Sequence, residues 1–285
     1  MKILIFGVTG MLGSAVFREF VFDPRFQVSG TLRSTSGRKF FPEAVQERLV
    51  SNVDVLDQDA LVATIERIRP NVVINCVGLI KQLADAKDPL AALPINAMLP
   101  HRLARLCALA GARLIHVSTD CVFSGRRGMY IESDVSDADD LYGKSKFIGE
   151  LHDQPNAITL RTSIIGHELG SRYALIDWFL SQTGEVKGYG KAIFSGLPTV
   201  ELARVMRDFV IPAPELHGLY HVSAVPIDKL SLLRLVADVY GKEVAIVPDA
   251  EVSIDRSLDS SRFREATGYV PPNWPELVRL MHDRR

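Results

Sequence analysis

A chain of 285 residues, 47% of them hydrophobic and 24% charged, can bury the core of one large domain or one and a half. Its formal net charge of −1 excludes broad electrostatic attraction to nucleic acid or anionic lipid, and no apolar run is long enough to span a bilayer. The three cysteines, Cys76, Cys107 and Cys121, lack paired or CxxC spacing, which argues against a disulfide framework or zinc site and for a reducing cytoplasm.

The first apolar run, Ile3–Phe6, leads into Gly7-x-x-Gly10-x-x-Gly13 and a helix-like stretch from Met11 to Phe22. Lys2 before apolar residues imitates a signal peptide, but the glycines interrupt it and no targeting segment is read. A strand, a glycine turn and a helix opening above it form the setting in which unpaired helix N–H groups receive a pyrophosphate. Gly7 permits the turn, Gly10 lets a phosphate approach and Gly13 lets the helix pack on the sheet. Gly7, Gly10, Met11, Leu12 and Gly13 are therefore candidate cofactor contacts; the alternative is a glycine-rich turn without a ligand.

Further strand-like runs lie at Gln27–Leu32, around Asn52–Val55, and at Val72–Cys76, Leu114–Ser118 and Ala157–Arg161. Amphipathic stretches separate them at Ala60–Ile68, Leu99–Ala110 and Tyr142–His152. This alternation predicts an α/β fold, a Rossmann-type doubly wound parallel sheet with helices on both faces. After Arg161 the pattern loosens, with glycines at 184, 188, 190 and 196 and prolines at 212 and 214. A helix at Leu230–Tyr240, a strand at Val244–Val247 and a helix at Pro275–Met281 are expected there. The predicted organisation is a dinucleotide-binding domain over 1–160 and a smaller, mainly substrate-binding lobe over 161–285, some of whose segments return to the sheet.

The end of the second strand bears on the cofactor. In this fold an acidic residue about 20 positions past the glycines binds the ribose hydroxyls of NAD. Here Arg33 follows the strand, with Ser34, Arg38 and Lys39 close behind, and a guanidinium suits a 2′-phosphate. NADPH is expected, with NADH left open and a solvated Arg33 as the alternative. Asp54 and Val55 are placed to contact the adenine, and Cys76, Val77 and Gly78 the region of the reactive half.

Tyr142-Gly143-Lys144-Ser145-Lys146 carries the chemistry. Positions i and i+4 of a helix share a face, so Tyr142 and Lys146 bracket one small volume. The ammonium is expected to lower the phenol pKa and make Tyr142 a usable acid or base. Ser118-Thr119, at the end of the fifth strand and followed by Asp120, supplies a hydroxyl for the substrate oxygen.

Those segments resemble the extended short-chain dehydrogenase/reductases, and within them the dTDP-4-dehydrorhamnose reductase family. The resemblance rests on Val73-Ile74-Asn75-Cys76, Val117-Ser118-Thr119-Asp120-Cys121-Val122-Phe123, Tyr142-Gly143-Lys144-Ser145-Lys146 with Gly149-Glu150, and Leu160-Arg161-Thr162-Ser163. Later echoes are Gly218–Ser223, Arg256–Asp259 and Pro272–Trp274. It implies Thr119, Tyr142 and Lys146 as the catalytic trio, with Asp120 and Ile164 beside the substrate. The implied reaction reduces the 4-keto group of a nucleotide-linked 6-deoxy sugar, with Lys146 holding the nicotinamide ribose. Three departures point to a changed sugar: Cys121 replaces tyrosine, Val77-Gly78-Leu79-Ile80 replaces Ala-Ala-Tyr-Thr, and Ile164 replaces tryptophan.

Other features read as structural. His217 and His221 are expected to ligate no metal, and none is expected elsewhere. His116 reads as a satisfied core imidazole and Glu132, Asp134, Asp137, Asp139 and Asp140 as a solvated loop, with a metal or subunit-contact role for that stretch as the lesser alternative. Arg126-Arg127 either reaches a diphosphate or is solvated. Two other functions compete with reduction: epimerisation or dehydration with retained cofactor, and a non-catalytic nucleotide-binding regulatory subunit. No nucleic-acid or membrane partner is expected, and a homodimer is left open.

Overall fold

The computed structural model describes residues 1–81 and 87–285. Its strands are β1 (Lys2–Phe6), β2 (Gln27–Thr31), β3 (Leu49–Val50), β4 (Val72–Asn75), β5 (Arg113–Thr119), β6 (Ala157–Thr162), β7 (Ile164–Ile165), β8 (Glu185–Phe194), β9 (Leu197–Pro198), β10 (Gly218–His221), β11 (Ile227–Asp228) and β12 (Ala245–Asp255). The α-helices are α1 (Met11–Val21), α2 (Glu43–Gln46), α3 (Gln58–Ile68), α4 (Pro89–Ala92), α5 (Leu99–Leu109), α6 (Leu141–Ile148), α7 (Leu175–Ser181), α8 (Thr199–Val205), α9 (Lys229–Tyr240), α10 (Ser261–Thr267) and α11 (Trp274–Asp283).

Seven strands form one parallel sheet in the order β10-β6-β5-β4-β1-β2-β3, the doubly wound architecture expected. Alternate side chains of β1 serve opposite faces. Ile3 and Ile5 enter a core shared with α1, α8, α9 and α11, whereas Leu4 and Phe6 pack with α3 and α5. Both faces are covered, so the strands read as continuous apolar runs. The chain order reverses between β1 and β4, which puts a crevice at their carboxyl ends.

Several boundaries move. The third strand is Leu49–Val50 rather than Asn52–Val55, because Asn52 takes a positive φ of 62° and Asp54 turns the chain by accepting from the Leu56 N–H. The helix expected from Leu99 is preceded by α4 and a π-helical stretch, Leu93–Met98. The helix expected to reach His152 stops at Ile148, where Gly149 lies so close to the Asn96 carbonyl that a side chain would collide. The glycines at 188 and 190 sit within β8: Gly188 packs under Leu230, where a Cβ would stand 2.5 Å from its side chain. The strand expected at Val244–Val247 runs to Asp255 as β12, which pairs in parallel with β8. In the second half, β10 returns to the main sheet beside β6.

Candidate active site

The glycine turn is built by β1, whose residues Ile3–Phe6 are fully buried. Gly7 has a φ of 83°, its N–H donates to the Thr31 hydroxyl at 3.2 Å, and the Gly10 N–H closes the turn on its carbonyl at 3.1 Å. A side chain on Gly13 would collide with that same carbonyl oxygen. Gly10 is exposed and begins α1 without a side-chain cap or an acidic residue in the first turn. A close-approach glycine turn under an uncapped helix end fits a dinucleotide pyrophosphate. Arg33 is exposed just past β2, whereas Arg38 turns into its own loop and donates to Ser51 and the carbonyls of Gln46 and Leu49. Asp54 and Val55 lie beyond β3 in the turn toward α3, not at a strand end.

Tyr142 and Lys146 are set by the start of α6. Asp140 caps this helix by accepting from the Gly143 N–H at 2.8 Å, and Gly143 sits so near the Cys121 carbonyl that a Cβ would clash. Thr119, the last residue of β5, accepts from the Cys121 N–H at 3.1 Å and donates to the Asp120 carboxylate at 3.2 Å. The Tyr142 phenol meets the Thr119 hydroxyl, yet burial and the nearby Cys121 and Asp120 raise its pKa. The phenol's pKa is thus raised rather than lowered as expected. Lys146 instead donates to the Val117 carbonyl at 2.7 Å, and burial brings its pKa down to about 8 against the opposing pull of Glu150. Burial raises the Asp120 carboxyl too, with Arg256 pulling it back. Ile164 is half-buried in β7, paired with Leu197.

The loop after β4 joins the two halves of this site. A Cβ on Gly7 would stand 2.8 Å from the Val77 side chain, and one on Gly78 would stand 4.0 Å from Lys146 Nζ. Asn96, in the π-helical stretch, holds the loop by accepting from the Leu79 N–H at 2.9 Å and donating to its carbonyl at 3.1 Å and to Ser145 at 3.2 Å. Sequence reasoning missed Asn96 and Ser145. It also missed Asp140 as a cap, although an aspartate two residues before a helical tyrosine is the available signal.

Behind the site runs a buried charge network. Glu150 accepts from Ser118 at 2.7 Å and takes a bidentate pair of bonds from Arg161 at 2.8 and 2.5 Å, while Arg161 also meets His221 at 2.9 Å. His221 is fully buried, and its other nitrogen faces the Tyr130 and Asp259 carbonyls, the structural role expected. His116 is buried but only half satisfied, a correction: Nδ1 meets Asn75, and Nε2 has no partner among the described residues. The acidic stretch is engaged rather than merely solvated. Asp134 pairs with Arg127, Asp137 takes two bonds from Ser124, Asp139 faces Arg126 and Glu132 accepts from the His221 N–H. An open cleft of about 530 Å³ lined by Glu168, Arg172, Asp177 and Ser181 includes none of the candidate catalytic residues. Among the described residues no group of three or more His, Cys, Asp or Glu could hold a metal, and no helix is long and apolar enough to cross a membrane.

A dTDP-4-dehydrorhamnose reductase from Aggregatibacter actinomycetemcomitans is 23% identical, over 98% of this chain and 97% of that protein. The methionine adenosyltransferase 2 subunit beta of Xenopus tropicalis is 33% identical over 58% of this chain and 47% of its own length, so the match spans about half of that relative. Among solved structures, the Bacillus anthracis dTDP-4-dehydrorhamnose reductase in complex with NADP aligns with a TM-score of 0.79 at 21% identity, covering 99% of this chain and 98% of that one, a likeness of fold. The family model for the RmlD substrate binding domain matches residues 1–284, and the chain belongs to that family.

Proposed function

We propose that this protein is an NADPH-dependent reductase of the 4-keto group of a nucleotide-activated 6-deoxy sugar. One observation carries the reading: the two-residue reach from Val77 to Gly78 connects the glycine turn at Gly7 to Lys146, so a cofactor seated on the turn lies beside the tyrosine–lysine helix. Full-length similarity to a dTDP-4-dehydrorhamnose reductase supports it.

A bound reduced nicotinamide supplies the hydride. Tyr142 supplies the proton to the oxygen that was the keto group, and its raised pKa keeps the phenol protonated beforehand. Thr119 orients that oxygen through its hydroxyl. Lys146, held by Val117, contributes its remaining N–H donors to the cofactor ribose. Arg33 faces the 2′-phosphate. The division into a cofactor-binding part over 1–160 and a mainly substrate-binding part over 161–285 belongs to the same reading, as does a cytoplasmic setting.

Cys121 and Ile164 line the substrate end without the aromatic surface typical of the family, which leaves room for a different ring substituent such as an acetamido group. Comparing kcat/KM across dTDP- and UDP-linked 4-keto-6-deoxy sugars at saturating NADPH tests this. The expected outcome is stoichiometric NADPH consumption, with a UDP-linked acetamido sugar preferred to dTDP-4-dehydrorhamnose and turnover falling about 10²-fold or more in Tyr142→Phe. Turnover without NADPH loss, or near-normal turnover in Tyr142→Phe, contradicts the mechanism. A clear preference for dTDP-4-dehydrorhamnose contradicts only the sugar assignment.

A further inference from the structure

The Cys76–Leu79 loop is pinned by an amide near each end, and each amide is backed by a side chain from the elements that carry the proposed catalytic residues. Asn96, backed by Ser145 of α6, holds Leu79. At the other end Asn75 Oδ1 accepts from the Val77 N–H at 3.1 Å, and Asn75 Nδ2 meets His116 Nδ1 of β5 at 3.2 Å. Asn75 and His116 are each 1% exposed.

This geometry settles the tautomer. The Val77 N–H is a donor, so the Asn75 oxygen must face it and the Asn75 amide nitrogen must face His116. His116 Nδ1 is then the acceptor, and the ring proton of the neutral imidazole lies on Nε2. Burial beside Lys146 holds the ring pKa well below its ordinary value, so the neutral form persists. Yet Nε2 is, among the described residues, the one buried side-chain nitrogen or oxygen with no partner. An orphaned donor destabilises a fold, and a leucine of nearly the same volume would not carry one. The ring's useful atom is Nδ1.

Resting on the proposed cofactor reading, we propose that His116 is a positioning residue for cofactor binding: through Asn75 it fixes the Val77 backbone, which packs directly against Gly7 of the glycine turn. His116 touches neither substrate nor cofactor.

Two substitutions separate positioning from packing. His116→Leu nearly keeps the volume and removes both the acceptor and the orphaned donor, leaving the Asn75 amide N–H unpaired in its place. His116→Asn puts an acceptor oxygen where Nδ1 stands but leaves a cavity. Thermal midpoints and NADPH dissociation constants are measured for both and for the unmodified protein. The proposal expects opposite rankings: Leu about as stable as the original, since one orphaned donor replaces another, but about tenfold weaker for NADPH, and Asn less stable but within about twofold in affinity. Asn75→Ala is expected to weaken binding as His116→Leu does, with the double variant no weaker than either single one. Affinity that follows stability, or additive losses in the double variant, overturns the proposal. An unmodified protein that binds neither NADPH nor NADH overturns the functional reading and this inference with it.

Discussion

Tyr142 and Lys146 stand four residues apart on α6 but answer to different neighbours. The phenol lies with Thr119, Asp120 and Cys121, the ammonium with Val117, Glu150 and Cys76. Burial brings the Lys146 pKa down to about 8, below its ordinary value, so the side chain is charged below that pH and neutral above it. NADPH affinity is therefore expected to weaken as pH rises through about 8, and Lys146→Met to bind weakly with no such step; a flat profile in the unmodified protein contradicts the assignment. At the proposed other end of the cofactor site, Arg33→Asp would replace the attraction proposed for a 2′-phosphate with repulsion. It should weaken NADPH binding far more than NADH binding, and equal dissociation constants for both in the unmodified protein would remove its basis.

Helix α6 delivers the proposed proton donor, and its placement depends on residues that make no chemistry. Asp140 caps it, Gly143 lets it approach the Cys121 carbonyl, and Ser145 ties it to Asn96. On an exposed helix, glycine to alanine stabilises by about 1 kcal/mol. Here the added Cβ meets the Cys121 carbonyl and the Ala138 side chain, so Gly143→Ala is expected to lower the thermal midpoint and reduce turnover about tenfold or more through misplacement of Tyr142. Paired measurements of melting and kcat check this, and a stabilised, fully active variant contradicts it. Gly143 was visible in the sequence only as part of a motif; its reason is a contact between β5's exit and α6 that no spacing rule encodes. Asn96 was hidden more deeply. Pro89, Pro94 and Pro100 and a π-helical stretch break the 3.6-residue periodicity that would have marked its helix.

Across the whole molecule, legibility followed burial. Strands β1, β4, β5 and β6 are covered on both faces and read as apolar runs, so the sheet could be anticipated from Ile3–Phe6, Val72–Asn75 and their like. The two-residue β3 and the glycine-bearing, partly exposed β8 carry no such signal. Candidate residues at the ends of β4 and β5 were legible because strand ends line the crevice of a doubly wound sheet. The Glu150–Arg161 pair was not, since buried charges look in sequence like surface ones. That pair, 3% and 1% exposed, ties the segment after α6 to β6 and, through His221, to β10. It anchors α6 to the edge of the sheet that the second half of the chain completes. The proposed outcome of this arrangement is direct reduction of the sugar, not a transient oxidation with retained cofactor. Single-turnover reaction with NADPH deuterated at the transferable position of the nicotinamide tests it most directly. The account predicts one deuterium at C4 of the product sugar for each NADP⁺ formed; an unlabelled product, or label left on the cofactor after turnover, would contradict it.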